Sequence, residues 1–256
     1  MEANQELADF LRSRRSRLRP DGIALAAHRR RRTPGLRRED VAQRAGISVE
    51  WYVKLEQGRA VSPSDETLDA LGRALELDAV EQAHLRSLVR KAKGPPFTRE
   101  VVPASIRRLV ESLSQPAYVT GQRWDILAWN AAAVELFDDF AQIPVKSRNI
   151  LLFVLTDPKA RRLFGTGWAK EAKRMVSLFR VAHDLWAGDA AFAALVERLR
   201  TGCPDFDSWW RPHDVGAPLS GAKILYHPVR GPLQFEYATF QANDDPRLKL
   251  AIYLER

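Results

Sequence analysis

Apolar positions in the first ninety residues recur at steps of three and four, the spacing of helices packed on a shared core. Leu7, Phe10, Leu11 and Leu18 predict a helix over 5–18, which Pro20 stops. Val41, Ala42 and Ala45 give a second helix its apolar side, and Tyr52 and Leu55 a third. Leu68, Leu71 and Leu75 mark a fourth, capped by Ser62 or Ser64 and running through Leu77. Asp78 and Glu81 form a capping-box pair opening a fifth, which runs to about Lys91 and buries Val80, Leu85 and Leu88.

The pattern then changes. Gly94, Pro95, Pro96 and Pro103 interrupt regular structure and mark a domain boundary, followed by a linking helix over 104–114. Residues 117–130 read as two short strands around Gly121 and Gln122, and 131–137 as the start of a helix. Helical spacing over 149–199 is broken at Asp157-Pro158, at Gly165 to Gly167, and at Gly188. Residues 222–229, 231–241 and 247–255 are β-rich runs separated by turn residues, as in an antiparallel meander. Alternation puts Leu233, Phe235 and Tyr237 on one face and predicts Leu248, Leu250, Ile252 and Leu254 as the inward row of the last strand. The expected architecture is two-domain. An all-α five-helix domain (1–93), a linker with its helix (94–116) and an α+β domain with an antiparallel sheet (117–256) follow in order.

Charge sharpens this division. Residues 1–60 hold 14 Lys and Arg against 8 Asp and Glu, a surplus of six out of the chain's net +8. Such concentration points to a polyanion partner for the N-terminal part. The basic run Arg29, Arg30, Arg31 and Arg32 reads as an exposed connector near phosphates. A single cysteine, Cys203, makes no internal disulfide, no apolar run is long enough to span a bilayer, and the first ten residues are too polar for a signal peptide. A cytoplasmic protein with no membrane insertion is expected.

The chemistry concentrates in LRREDVAQRAGISVEWYVKLEQGR, residues 36–59. Gly46 can take the left-handed backbone of a sharp turn, Ile47 fills the angle, and Ser48 is a strong N-cap for the following helix. This is helix-turn-helix grammar. The stretch resembles the lambda-repressor-like, XRE-type helix-turn-helix. Extended to RRRRTPG before it and to WDILAWN and HPVRGPLQFEY after it, the sequence resembles MmyB-like transcriptional regulators over nearly its whole length.

That resemblance implies a double-stranded DNA operator as partner, with the second helix of the pair in the major groove. Carried over by position, Val49, Glu50, Val53 and Lys54 are the base-facing residues, and Arg37, Arg38, Gln43, Gln57 and Arg59 the phosphate-facing ones. Arg37 stands where such families often place a capping Ser, Thr or Asn. Trp51 is open to two readings, packing on the sugar-phosphate backbone or on a neighbouring helix. Glu56 is implied to pair with Arg15 as a partly buried ion pair. A homodimer is expected, since one such unit reads a half-site.

The resemblance also implies a C-terminal PAS-like domain that senses a small apolar ligand such as a fatty acid, with no cofactor required. Candidate lining residues are Trp124, Trp129, Phe179, Phe235 and Tyr237, with Phe153, Leu178 and Trp186, and each can equally be core. Arg211, His213 and Asp214, with Tyr226 and His227, are candidates for a polar head group. Two other readings stay open for this domain: pure dimerisation, and an acyl-ester hydrolase built on Ser208, His213 and Asp214. The second lacks a G-x-S-x-G elbow. His183, His213 and His227 lack the close spacing of metal ligands.

Overall fold

Helices over the first ninety residues follow from their caps and apolar sides. In the computed structural model, which describes residues 2–18, 35–59, 62–89, 96–186, 188–210 and 221–256, they are α1 (Glu2–Arg17), α2 (Arg38–Ala45), α3 (Val49–Glu56), α4 (Asp65–Ala74) and α5 (Ala79–Val89). Leu7, Phe10, Leu11, Val41, Tyr52, Leu55, Leu68, Leu71, Leu85 and Leu88 form one buried core. Ser64, not Ser62, caps α4, its hydroxyl accepting from the Thr67 N–H at 3.3 Å. That helix ends at Ala74, short of the expected Leu77, because Glu76 turns left-handed (φ 52°) and the Leu77 N–H folds back to the Gly72 carbonyl. The capping box of α5 is reciprocal: the Glu81 N–H donates to Asp78 Oδ1 at 2.8 Å and the Asp78 N–H to Glu81 Oε2 at 3.3 Å. Val80 is only half-buried, against expectation, because Glu81, His84, Leu85 and Leu88 form the inward side.

Backbone contacts divide the chain into two compact units, the first chiefly Met1–Gly94 and the second chiefly residues 95–256. The second begins with α6 (Ala104–Ser112), then the hairpin β1 (Ala117–Thr120) and β2 (Ile126–Trp129). Next come α7 (Ala131–Leu136), α8 (Ile150–Thr156), α9 (Pro158–Phe164), α10 (Trp168–Leu185), α11 (Ala190–Gly202) and α12 (Phe206–Trp210). The chain closes with β3 (Gly221–His227), β4 (Gly231–Gln241) and β5 (Lys249–Glu255). The five strands form one antiparallel sheet in the order β2-β1-β5-β4-β3. Asn130 ties the hairpin to its surroundings: its Oδ1 accepts from Ala117 and caps α7 through Ala133, and its Nδ2 donates to the Leu113 and Gln115 carbonyls.

The last strand corrects one expectation. Tyr237 pairs with Tyr253 and Thr239 with Ala251, so Ala251 and Tyr253 share the inner face with Phe235 and Tyr237. Leu250 and Ile252 lie on the opposite face, in a second cluster with Val110 of α6, Val119 and Leu248, and Leu254 is exposed. With α6 covering part of the outer face, both rows of β5 are apolar and alternation alone cannot choose between them.

Candidate functional site

The turn between α2 and α3 is built from its own residues. Gly46 adopts φ 67°, the Ile47 N–H returns to the Ala42 carbonyl at 3.0 Å, and the Ser48 hydroxyl accepts from the Trp51 N–H at 3.2 Å. At the head of α2, Asp40 does the capping, its carboxylate accepting from the Arg37 N–H at 2.8 Å. The Arg37 side chain is thereby left in solvent.

One buried carboxylate binds these pieces together. Glu56 Oε1 accepts from Arg15 Nε at 2.5 Å and from the Tyr52 hydroxyl at 2.9 Å. Its Oε2 accepts from Arg38 Nε at 2.8 Å and Arg15 Nη2 at 3.1 Å. Arg12 donates to the Glu56 carbonyl, and Arg15 to the Leu36 carbonyl at 2.8 Å, while the Leu36 N–H donates to the Arg15 carbonyl. Three helices and the segment before α2 therefore meet on Glu56 and Arg15. Burial alone would push the Glu56 carboxyl up, but hydrogen bonds from Arg15 and Arg38 outweigh it and hold the group below its ordinary range. The expected Arg15 partnership is present, and Arg38 shares it.

With Tyr52, Leu55 and Glu56 turned inward, α3 presents Val49, Glu50, Val53 and Lys54 on its outer side. Glu50 and Lys54 pair with each other at 2.9 Å, one turn apart, and this bond lowers the Glu50 carboxyl, with Arg59 adding a smaller effect. Arg37, Gln43, Gln57 and Arg59 are exposed. Arg38 keeps its side chain 40% exposed although its Nε is held by Glu56. Trp51 packs half-buried against the helical core.

The candidate ligand residues of the second unit do not converge on one place. Trp124 and Phe179 belong to an aromatic group with Phe192 and Trp210. Ring centres lie 6.0 Å apart for Trp124–Phe179, 6.0 Å for Phe179–Phe192 and 6.3 Å for Phe179–Trp210. Trp124 sits in the β1–β2 turn with φ 67°. Phe235 and Tyr237 belong to a second group on the inner face of the sheet, where both pack on Tyr253 and Tyr253 meets Phe137 at 5.0 Å. Trp129 joins this second group through Phe140 at 5.7 Å. Phe153 lies there too, beside Phe137 and Phe140.

The head-group candidates are reassigned or lie outside the described residues, as do Arg211, His213, Asp214 and the run Arg29, Arg30, Arg31 and Arg32. Tyr226 is exposed and its ring covers Gly165, where a Cβ would fall 2.6 Å from it. His227 organises the β3–β4 turn: its Nδ1 accepts from the Val229 and Arg230 N–H groups, so its Nε2 faces the Glu135 carbonyl at 3.2 Å as the donor. Ser208 donates to the Asp205 carbonyl within its own turn.

Sequence reasoning missed Glu171, Arg174 and Lys223. Lys223 Nζ lies 2.6 Å from Glu171 Oε1, and Arg174 reaches both oxygens of Glu171, at 2.7 and 3.0 Å. Burial pushes the Lys223 ammonium down to about 8 against the pull of Glu171. The available signal was a lysine in the same strand row as Leu225, which is fully buried.

The chain matches two family models. Residues 6–85 match one described as a helix-turn-helix domain, and residues 102–256, more than half the chain, match one described as the MmyB-like transcription regulator ligand binding domain. No curated protein matches it. No helix among the described residues is long and apolar enough to cross a membrane.

Proposed function

The chain belongs to the MmyB-like transcription regulators, and from that premise we propose that it is a dimeric, sequence-specific regulator that binds operator DNA in the cytoplasm and answers to a small apolar ligand, a fatty acid or similar molecule, held by its second unit. The observation that carries the DNA half of this reading is the division of labour on α3. Its inner side is locked through Tyr52 and Glu56, and its outer side leaves Val49, Glu50, Val53 and Lys54 with no part in the core. In the groove Glu50 accepts from a cytosine amino group, Lys54 donates to guanine, and Val49 touches a thymine methyl. Arg37, Arg38, Gln43, Gln57 and Arg59 set the register on phosphates.

The Glu50–Lys54 pair must open for either to meet a base, and a pair this exposed is screened by solvent and opens readily. Charge supplies the affinity, because each neutralised phosphate releases counterions. Operator binding titrated against salt therefore tests the docking. Arg37→Ala and Arg59→Ala should each lower the log-log slope by about 0.9. Wild-type slopes in both variants would sink it.

Pure dimerisation is the second reading, favoured by Ile224, Phe240 and Leu254. All three lie on the sheet face opposite Tyr237 and are 45–56% exposed. Operator affinity that stays constant across a panel of lipids and metabolites would select it.

A further inference from the structure

An antiparallel sheet with one face in water alternates apolar-in and polar-out along each strand. On the outer face of this sheet that rule fails. α6 packs over β1 and β2. Beyond it, the outward positions of β5, β4 and β3 follow from the pairing, with Leu254 opposite Glu236, Ile252 opposite Ala238, Leu250 opposite Phe240, and Ile224 opposite Gln234. Only Glu236 and Gln234 in this set are polar. Ile224, Phe240 and Leu254 remain about half exposed, one on each of three adjacent strands. Apolar side chains standing singly in water are ordinary, whereas a run of them across neighbouring strands is characteristic of a surface covered by another molecule.

The polar groups on this face narrow down what covers it. Arg256 follows β5 on the same side as Leu254, its N–H donating to the Gln234 carbonyl at 3.0 Å and its guanidinium pairing with Glu236. Both side chains are half exposed, and Leu254 and Ile224 flank them. Among the described residues these are the charged groups of the outward rows of β3, β4 and β5, and they cancel. In a chain of net charge +8, this face is therefore one where two copies meet without mutual repulsion. The pair is also self-complementary. A two-fold axis sets the same patch on both partners, so an acid beside a base in one copy stands opposite a base and an acid in the other.

We propose that the outer face of β3, β4 and β5 is the homodimer interface. A second copy of this chain docks on it sheet to sheet about a two-fold axis, with Glu236 of each copy meeting Arg256 of the other and with Ile224, Phe240 and Leu254 closed off from water. The proposal rests on the reading that the chain is a dimer, and it holds whether or not the second unit also takes a ligand. A second copy fits better than a foreign protein because the charge pattern matches itself and because one α3 reads only a half-site.

Sedimentation equilibrium of the full-length protein tests this. Ile224→Ser and Leu254→Ser should each weaken dimerisation about tenfold or more. Glu236→Arg and Arg256→Glu should do the same, because like charges then face each other across the axis. The decisive sample is an equimolar mixture of Glu236→Arg and Arg256→Glu. Each chain has lost its internal pair, yet in the mixed dimer opposite charges meet again at both contacts, so dimers should return. A role confined to each chain's own sheet predicts no rescue, and a mixture that stays monomeric overturns the interface. A dimer unchanged in all four variants also overturns it, spares the dimer reading and leaves the face to a foreign protein. A wild type that is monomeric at every concentration, with and without operator, overturns both. Should the serine variants fail to fold, the charge-swapped mixture decides alone.

Discussion

The two units share an electrostatic motif and use it differently. In the first, Glu56 faces Arg15 and Arg38; in the second, Glu171 faces Arg174 and Lys223. Each is a buried carboxylate with two cations and a surplus positive charge. The difference is where that surplus goes. Arg38 reaches solvent, where water and counterions screen it. Lys223 is closed in by rings and only 11% exposed, and its cluster meets solvent through Arg174 instead. A second difference is chemical. Two arginines hold their protons under all conditions, whereas a lysine can give its proton up. The first cluster is therefore a fixed clamp and the second an adjustable one.

Removing the carboxylates should expose this contrast most strongly. Glu56→Ala leaves two guanidinium groups that cannot be neutralised, and about 3–5 kcal/mol of stability should go, read by urea unfolding of the N-terminal unit. Glu171→Ala should cost less at pH 9, because Lys223 escapes by deprotonating. Equal costs at that pH would dissolve the distinction.

Next in size is the backbone joint that feeds the first cluster. Gly35 has φ 88°, and a Cβ there would fall 2.5 Å from the Arg15 carbonyl oxygen and 2.6 Å from the Ser16 Cα. Neither atom can yield without moving α1, so Gly35→Ala should cost about 2–3 kcal/mol. Gly46 is equally left-handed but open, with nothing within 4 Å of a Cβ, and Gly46→Ala should cost about 1 kcal/mol. A reversed order in thermal melts would show that Leu36 is not clamped as described.

The smallest effect is in pH. Lys223 has a folded-state value of about 8, below its ordinary 10.5, so between these the unfolded chain binds more protons and stability rises with pH. From pH 8 to 9 the gain should be about 1 kcal/mol, and Lys223→Met should lack it. Glu56 behaves oppositely in range. Its depressed carboxyl contributes stability above its unfolded value of about 4.5, which is lost only as the medium becomes more acid than that.

Legibility from sequence followed locality. The helix-turn-helix declared itself because Gly46, Ser48, Tyr52 and Leu55 act within one short stretch, and the five helices followed from caps and spacing. The strands also declared themselves, but the facing of β5 did not, since Leu250 and Ile252 alternate with Ala251 and Tyr253 and both rows find apolar cover. The Glu171–Lys223 pair joins residues 52 positions apart and exists only once α10 lies on the sheet. The aromatic residues read as lining one cavity do not share one place: Trp124 and Phe179 lie in one group and Phe235 and Tyr237 in another, a partition set by which helix covers which strand.

The separation of the two sides of α3 has an evolutionary consequence. Because Val49, Glu50, Val53 and Lys54 carry no share of the Glu56 clamp, they can be rewritten at costs within about 0.5 kcal/mol, the ordinary tolerance of surface positions. With α3 docked as proposed, a duplicated copy of this chain could change its operator one residue at a time and remain folded at every step. The address it recognises is, in that sense, interchangeable text on a permanent binding.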